Sequence, residues 1–380
     1  MAKDKDDDKK KGPVKLTMWE KGDKKAISNI VDILQDKFSD APGVVTMNPT
    51  QKEVVLYPTG ILSLDLGLGI GGLLGGRVVD CFGSEGTGKT LTGLAAAGSV
   101  QKMGGIAAFA DAEGTFSRTF AEACGVDVEN LILLQSTPDH VMTGEDFLEA
   151  TRVLIAQGVN FIEVDSAAAL VPSGKLQAKF GEGQAATHAR MMSEELQKMT
   201  SYLSAGKRSI VWFTNQMRGK PMEMFGPKEE ATGGNAIKFY ASYRFGMQRV
   251  KDIIKKVKRS DGKVEEKIVG VSVGLRFVKN KTAPRPVEPI TFDIYTVFGE
   301  THDGIQIVPG IDIIKDMYEV GKATGIVQQK GAWYQYEDVR GQGDYDFQEA
   351  LRKTPEVAAK LRQAVLGIGF TGPVAATPEE

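Results

Sequence analysis

The sequence predicts an α/β fold built on a mainly parallel sheet, and three observations carry that prediction. Short apolar runs alternate with helix-patterned segments from about residue 77 to residue 214, as strands covered by helices on both faces require. One strand-to-helix junction carries the pattern G-x-x-x-x-G-K-[ST] at residues 83–90, which binds phosphate only in that setting. The composition, 42% hydrophobic and 25% charged, is that of a globular domain, and no run approaches the length that spans a bilayer.

The chain opens with a charged segment, residues 1–23, which reads as a solvated tail. Residues 24–38 place Ala26, Ile27, Ile30, Ile33, Leu34 and Phe38 at helical spacing, so an amphipathic helix is expected there. The turn signal Asp40-Ala41-Pro42-Gly43 separates it from the core of the chain. Its apolar stripe needs a cover, either its own domain or a neighbouring copy.

The run Arg77–Phe82 reads as a strand and Leu91–Val100 as a helix, with Gly83, Ser84, Glu85, Gly86, Thr87, Gly88, Lys89 and Thr90 between them. Glycines let successive N–H groups turn toward phosphate oxygens, and the helix N-terminus adds partial positive charge. Lys89 suits the β- and γ-phosphates of a nucleoside triphosphate, and the Thr90 hydroxyl suits Mg²⁺. Strands follow at Ile106–Ala110, Leu131–Leu134, about 161–165 and Ser209–Thr214, with helices near Ser117–Cys124, Gly144–Gln157 and Thr187–Ser204 between them. Beyond Tyr243 the pattern changes to a hairpin, Arg244–Val250 and Lys267–Val278, joined by a basic stretch with Asp261-Gly262. A strand at Ile290–Tyr295 precedes a smaller region that turns helical from about Val308.

Strand C-termini in such sheets face the ligand crevice. Asp165 ends one strand and is placed to bond a Mg²⁺-bound water; a helix cap is the alternative. Glu113 ends the next and could deprotonate an attacking water, or be a solvated loop acid. Gln216 follows the strand Ile210–Asn215, where an amide can report on the γ-phosphate. Two glycine-bearing loops, Ser173–Ala186 and Met217–Gly234, follow strand ends; backbone contacts to nucleic acid and a plain mobile lid both fit their composition.

A net charge of −2 gives no global attraction for nucleic acid, so any such contact is local. Residues 249–267 hold eight Lys/Arg against four Asp/Glu, which reads as a solvated hairpin tip rather than a duplex-gathering patch. Cys81 and Cys124 form no C-x-x-C pair, and His140, His188 and His302 have no metal-ligand spacing. A disulfide framework and a zinc site are unsupported, and a reducing cytoplasm fits.

The ordered segments DAE at 111–113, VDS at 164–166, ARMM at 189–192, TNQMR at 214–218, MFG at 224–226, TGGNAIKFYAS at 232–242, VKNK at 278–281 and GAWY at 331–334 resemble the RecA family of homologous-recombination ATPases. The resemblance runs from about Thr59 to Leu366. It implies a RecA-like P-loop NTPase core with a mainly parallel central sheet, a short N-terminal polymerisation helix and a small C-terminal α/β domain. The expected divisions are a tail (1–23), an oligomerisation segment (24–50), the ATPase core (51–300), the C-terminal domain (301–372) and a flexible end (373–380).

The same resemblance implies roles. Glu113 would be the catalytic glutamate, Gln216 the switch between nucleotide and DNA, and Phe120 the aromatic against adenine. Lys279 and Lys281 match lysines that reach the ATP of the adjacent subunit. Arg190, Met217, Arg218, Met224, Phe225, Gly233 and Gly234 fall in or beside the DNA-binding loops, and Phe239 near the subunit interface. ATP and Mg²⁺ are the expected cofactors; single- and double-stranded DNA and further copies in a helical filament are the expected partners, with no membrane. The function implied is a DNA-dependent ATPase that forms a filament on single-stranded DNA and catalyses homologous pairing and strand exchange in recombination and DNA repair. A nucleotide-binding DNA scaffold without strand exchange and a ring-forming helicase motor are the alternatives.

Several residues depart from the family pattern. Ser84 stands where Pro is common, Gly86 where Ser is, Ser117 where an acid is, and Gln197 where a basic residue is frequent. The C-terminus lacks a long acidic tail. Glu163 puts a charge inside a buried strand, on the same face as Asp165. A structural ion pair with a lysine is the expected arrangement, and a place in the nucleotide–Mg²⁺ shell the alternative.

Overall fold

The computed structural model of the protein describes residues 55–177, 185–219, 229–231, 236–259, 261–282 and 288–367, all within the unit Val54–Glu380. The expected N-terminal helix, both terminal tails and the residues 220–228 and 232–235 lie outside them. The described chain begins with β1 (Leu56–Tyr57), α1 (Leu62–Gly67) and β2 (Leu73–Leu74). Next come β3 (Arg77–Gly83), α2 (Lys89–Lys102), β4 (Ala107–Asp111), α3 (Arg118–Ala123), β5 (Leu131–Gln135), α4 (Gly144–Gln157) and β6 (Phe161–Asp165). Helices α5 (Ser173–Gln177) and α6 (Ala185–Ser204) lead to β7 (Ile210–Gly219), β8 (Glu229–Ala231) and α7 (Ala236–Tyr240). The hairpin β9 (Tyr243–Lys258) and β10 (Val264–Asn280) precedes β11 (Ile290–Tyr295), β12 (Gly299–Glu300), β13 (Gln306–Ile307) and β14 (Gly310–Ile311). Helix α8 (Ile313–Ala323), strands β15 (Gln328–Lys330), β16 (Trp333–Tyr336) and β17 (Val339–Gln342), and helices α9 (Gly343–Arg352) and α10 (Pro355–Leu366) complete it.

The central sheet has the order β14-β11-β10-β9-β3-β7-β6-β4-β5. Its β9-β3-β7-β6-β4-β5 portion is parallel, and β9, β10, β11 and β14 join antiparallel. Alternate residues of the parallel strands enter different cores. Val79, Cys81, Phe109, Phe161 and Trp212 pack with Leu94, Ala97 and Val100 of α2. Val78, Ala108, Ala110, Ile162, Val164 and Val211 pack with Phe147 and Ile155 of α4 and Met192 and Leu196 of α6. Burial on both faces explains why these strands read as continuous apolar runs. Helix ends follow local chemistry. Thr143 and Asp146 form a capping box on α4, and Gly158 ends it in the left-handed region.

The last part of the chain has its own apolar cluster around Tyr318, Tyr334, Phe347 and Leu361, which also takes in Leu62 of α1. Asp316 of α8 accepts hydrogen bonds from the N–H groups of Leu62 and Ser63, so a carboxylate sits at the N-terminus of α1.

Two expected boundaries move. The hairpin strands continue through the basic stretch to Lys258 and from Val264, because Val257 and Val269 find a small core with Ile307. Strand β7 runs past Gln216 to Gly219 and pairs antiparallel with β8, so residues 217–219 and 229–231 of the expected loop form a ladder. Within the other expected loop, α5 forms.

Candidate active site

The C-terminal ends of β3, β4, β6 and β7 converge on a cavity of about 430 Å³. Its floor is the turn between β3 and α2. Gly88 is the N-cap of α2 with φ 77°, and a Cβ there would lie 2.3 Å from Ile294 Cδ1, so only glycine fits both backbone and space. Thr87 Oγ1 donates to the Ser84 carbonyl at 2.9 Å, and Lys89 Nζ donates to the same oxygen at 2.8 Å. Burial lowers the Lys89 pKa, and nearby acids, Asp165 and Glu113 among them, oppose that shift.

Asp165 is held by two hydroxyls. Thr90 Oγ1 donates to its Oδ2 at 2.6 Å, and Thr214 Oγ1 of β7 donates to its Oδ1. Burial raises the Asp165 pKa; these two hydrogen bonds pull the other way. The carbonyl of Asp165 accepts from the N–H groups of Ala112 and Glu113, which fixes the start of the next loop. Asp111 carries that loop further by accepting from the N–H groups of Thr115 and Phe116. Glu113 Oε1 then accepts from Ser166 Oγ at 2.5 Å and lies 3.5 Å from Gln216 Nε2. Thr90, Asp165, Glu113 and Gln216 therefore meet around one cavity, together with Glu85, Gly86, Gly88 and Lys89.

The opposite end is apolar. Leu91, Leu94, Phe109, Phe116 and Phe120 line it with Thr115, Ser117 and Thr296. Ser117 Oγ caps α3 by accepting from the Phe120 N–H at 3.4 Å. The Phe120 ring lies edge-to-face with Phe298, centroids 5.8 Å apart. Neither Phe116 nor Phe298 was singled out by the sequence, and nor were Thr214 and Ser166 as partners of the two acids. The VDS segment holds a signal for Ser166; Phe298 has none beyond being aromatic.

Lys279 and Lys281 do not line this cavity. Lys279 Nζ donates to the carbonyls of Lys238 and Phe239 at the end of α7, at 2.8 and 3.1 Å, and burial lowers its pKa, followed by the charge of Lys281. Lys281 is exposed, and Phe239 beside them is 73% exposed. On α6, Arg190 pairs with Glu194 at 2.7 Å in solvent. The backbone of Met217 and Arg218 lies in β7. Met224, Phe225, Gly233 and Gly234 lie outside the described residues.

Glu163 overturns both of its expectations. It is fully buried, does not line the cavity, and has no hydrogen-bond partner on either oxygen among the described residues. No lysine among those residues pairs with it. Burial, and secondly the charge of Asp165, push its carboxyl well above the usual range; the neutral acid is the form such a site tolerates.

Two family models match: the RecA N-terminal domain over residues 25–302 and the RecA C-terminal domain over residues 315–367. The chain belongs to the RecA family. It is 41% identical over 309 residues to protein RecA of Acidiphilium cryptum, covering 81% of this chain and 82% of that one. It is 37% identical over 355 residues to protein RecA of Caulobacter vibrioides, with 93% and 92% covered. For protein RecA of Thermus thermophilus the figures are 36% over 345 residues, 90% and 94%. Membership bears out the α/β fold expected from the motifs and the expected role in homologous recombination and DNA repair. Among the described residues no cluster of His, Cys, Asp and Glu suits a metal, and no helix is long and apolar enough to cross a membrane.

Proposed function

We propose that the protein hydrolyses ATP when assembled on single-stranded DNA and uses that cycle to drive homologous pairing and strand exchange. The observation that carries this reading is the meeting of Thr90, Asp165, Glu113 and Gln216 beside Lys89 at one cavity. A hydroxyl and a carboxylate 2.6 Å apart form a hard-oxygen set that fits Mg²⁺. Thr90 would hold the ion directly and Asp165 through water. When bound, Mg²⁺ neutralises charge on the β- and γ-phosphates.

Among the described residues Lys89 Nζ bonds only a backbone carbonyl, which a γ-phosphate outcompetes as a partner for an ammonium. Glu113 orients and deprotonates the attacking water, and Ser166 fixes its carboxylate. Phe120 and Phe116 supply apolar surface for the base. Gln216 lies between Glu113 and the outgoing end of β7, so a hydrogen bond exchanged from Glu113 to phosphate shifts the strand that leads to Met217 and Arg218. Those residues, with Arg190, Met224, Phe225, Gly233 and Gly234, contact DNA.

Lys279 and Lys281 act on the nucleotide of the next protomer in a helical filament, which residues 24–50 help to join. The ATPase core spans 51–300 and a C-terminal domain 301–372. The protein works in the cytoplasm, in keeping with Cys81 and Cys124 as free thiols.

A strand-exchange assay with homologous linear duplex and circular single strands tests the reading. Joint molecules that need ATP and Mg²⁺ are expected. Nucleotide-dependent DNA binding with no joint molecules would leave a scaffold instead.

A further inference from the structure

Helix α2 and strand β6 meet at a close contact just below the Thr90–Asp165 hydrogen bond. Glu163 is fully buried there. A Cβ built on Gly93 would lie 2.2 Å from Glu163 Oε1, 2.4 Å from its carboxyl carbon and 2.6 Å from Oε2. The carboxyl group thus occupies the place where a helix side chain would begin. Gly93 follows Lys89 by one turn of α2. Glu163 precedes Asp165 by two residues of β6 and shares its face. The Gly93–Glu163 contact and the Thr90–Asp165 bond therefore span the same gap at successive levels.

Each partner is locally unfavourable. Glycine inside a helix is destabilising against alanine, and α2 does use alanine at the nearby positions Ala95, Ala96 and Ala97. A buried acid whose two oxygens find no partner among the described residues is costly too. The two choices make sense as a matched pair: the bare backbone of one accommodates the side chain of the other.

We propose that Glu163 is a positioning residue whose side chain, seated on Gly93, sets the spacing between β6 and α2 and so holds Thr90 against Asp165. It acts through shape and touches neither nucleotide nor metal. This rests on reading Thr90 and Asp165 as the Mg²⁺–nucleotide pair.

The test uses the full chain and two readouts: the Mg²⁺ dependence of fluorescent ATP-analogue binding, and hydrogen exchange of the α2 amides without nucleotide. Glu163→Ala removes the spacer. It is expected to raise the half-saturating Mg²⁺ about tenfold, in the range seen when outer supports of a metal site are lost, and to speed exchange across α2. Glu163→Gln keeps the shape and stays within about threefold of wild type on that scale. Gly93→Ala is worse than Glu163→Ala alone, and adding Glu163→Ala to it restores binding. Wild-type behaviour of Glu163→Ala in both readouts, or no relief in the double variant, overturns the proposal. Should Gly93→Ala fail to fold, the Ala and Gln variants of Glu163 decide alone. If the wild type itself shows no Mg²⁺-dependent binding, the site reading fails instead, and α2 exchange still judges the spacer.

Discussion

Around Lys89 and around Lys279 the chain treats its cations differently. At the first, strand ends bring Asp165, Glu113 and Gln216 from three separate strands to one cavity, and hydroxyls of Thr90, Thr214 and Ser166 orient the acids. At the second, Lys279 bonds two backbone carbonyls at the end of a short helix, Lys281 is exposed, and a phenylalanine at 73% exposure stands beside them. The first region is organised from within one chain. The second has the character of a surface, with charge and apolar area together and no acid paired to Lys281 among the described residues. The difference teaches that the chain builds one cation into a cavity of its own and leaves another at a surface.

Breaking the built half gives the largest effect. Lys89→Ala is expected to lower the rate of phosphate release at least a hundredfold, since removing one preorganised charge from phosphoryl transfer costs about 10²–10³. Glu113→Gln keeps the hydrogen bond from Ser166 but not the base. Its hydrolysis is expected to fall about a hundredfold, while equilibrium binding of a nucleotide analogue stays near wild type.

The surface half is tested by mixing. Lys279→Ala alone is expected to lose about tenfold or more of its hydrolysis. A mixture of Lys89→Ala and Lys279→Ala protein on DNA is expected to exceed the sum of the two alone, because some junctions pair an intact Lys89 with an intact Lys279. No gain on mixing would mean that Lys279 serves only its own chain.

The smallest effect concerns a buried acid that lines no part of the cavity. Asp65 in α1 is fully buried, and burial raises its pKa to about 7, against hydrogen bonds from Thr59 that lower it. The unfolded carboxyl titrates near 3.9. The folded state therefore binds this proton more tightly, so the stability it contributes is present below pH ~4 and is lost as pH rises toward 7. Asp65→Asn is expected to remove that slope. Melting curves should show the variant gaining on wild type by a few degrees between pH 5 and pH 8.

The parts of this molecule that were legible in the sequence are those set by local pattern. Gly83–Thr90 announces itself by spacing, and Gly144–Gln157 and Ile290–Tyr295 form within the expected bounds because caps and periodicity act over a few residues. Asp165 and Glu113 were legible as strand-end acids. Their partners were not, since Thr214 reaches Asp165 from 49 residues away and Ser166 reaches Glu113 from 53. Glu163 misled for the same reason: an unpaired charge in a strand calls for a lysine, and only the packed helix reveals that Gly93 leaves it room. The hairpin β9–β10 outran its expected ends because Val257 and Val269 pack with Ile307, a residue well beyond the hairpin in the chain.

The most direct test is the steady-state rate of ATP hydrolysis measured with and without single-stranded DNA at saturating Mg²⁺. A rate that rises at least tenfold with DNA in wild type, on the scale that trans-supplied cations give, and that vanishes in Lys89→Ala is the predicted result. A rate that is the same with and without DNA, or that survives Lys89→Ala, would contradict the account.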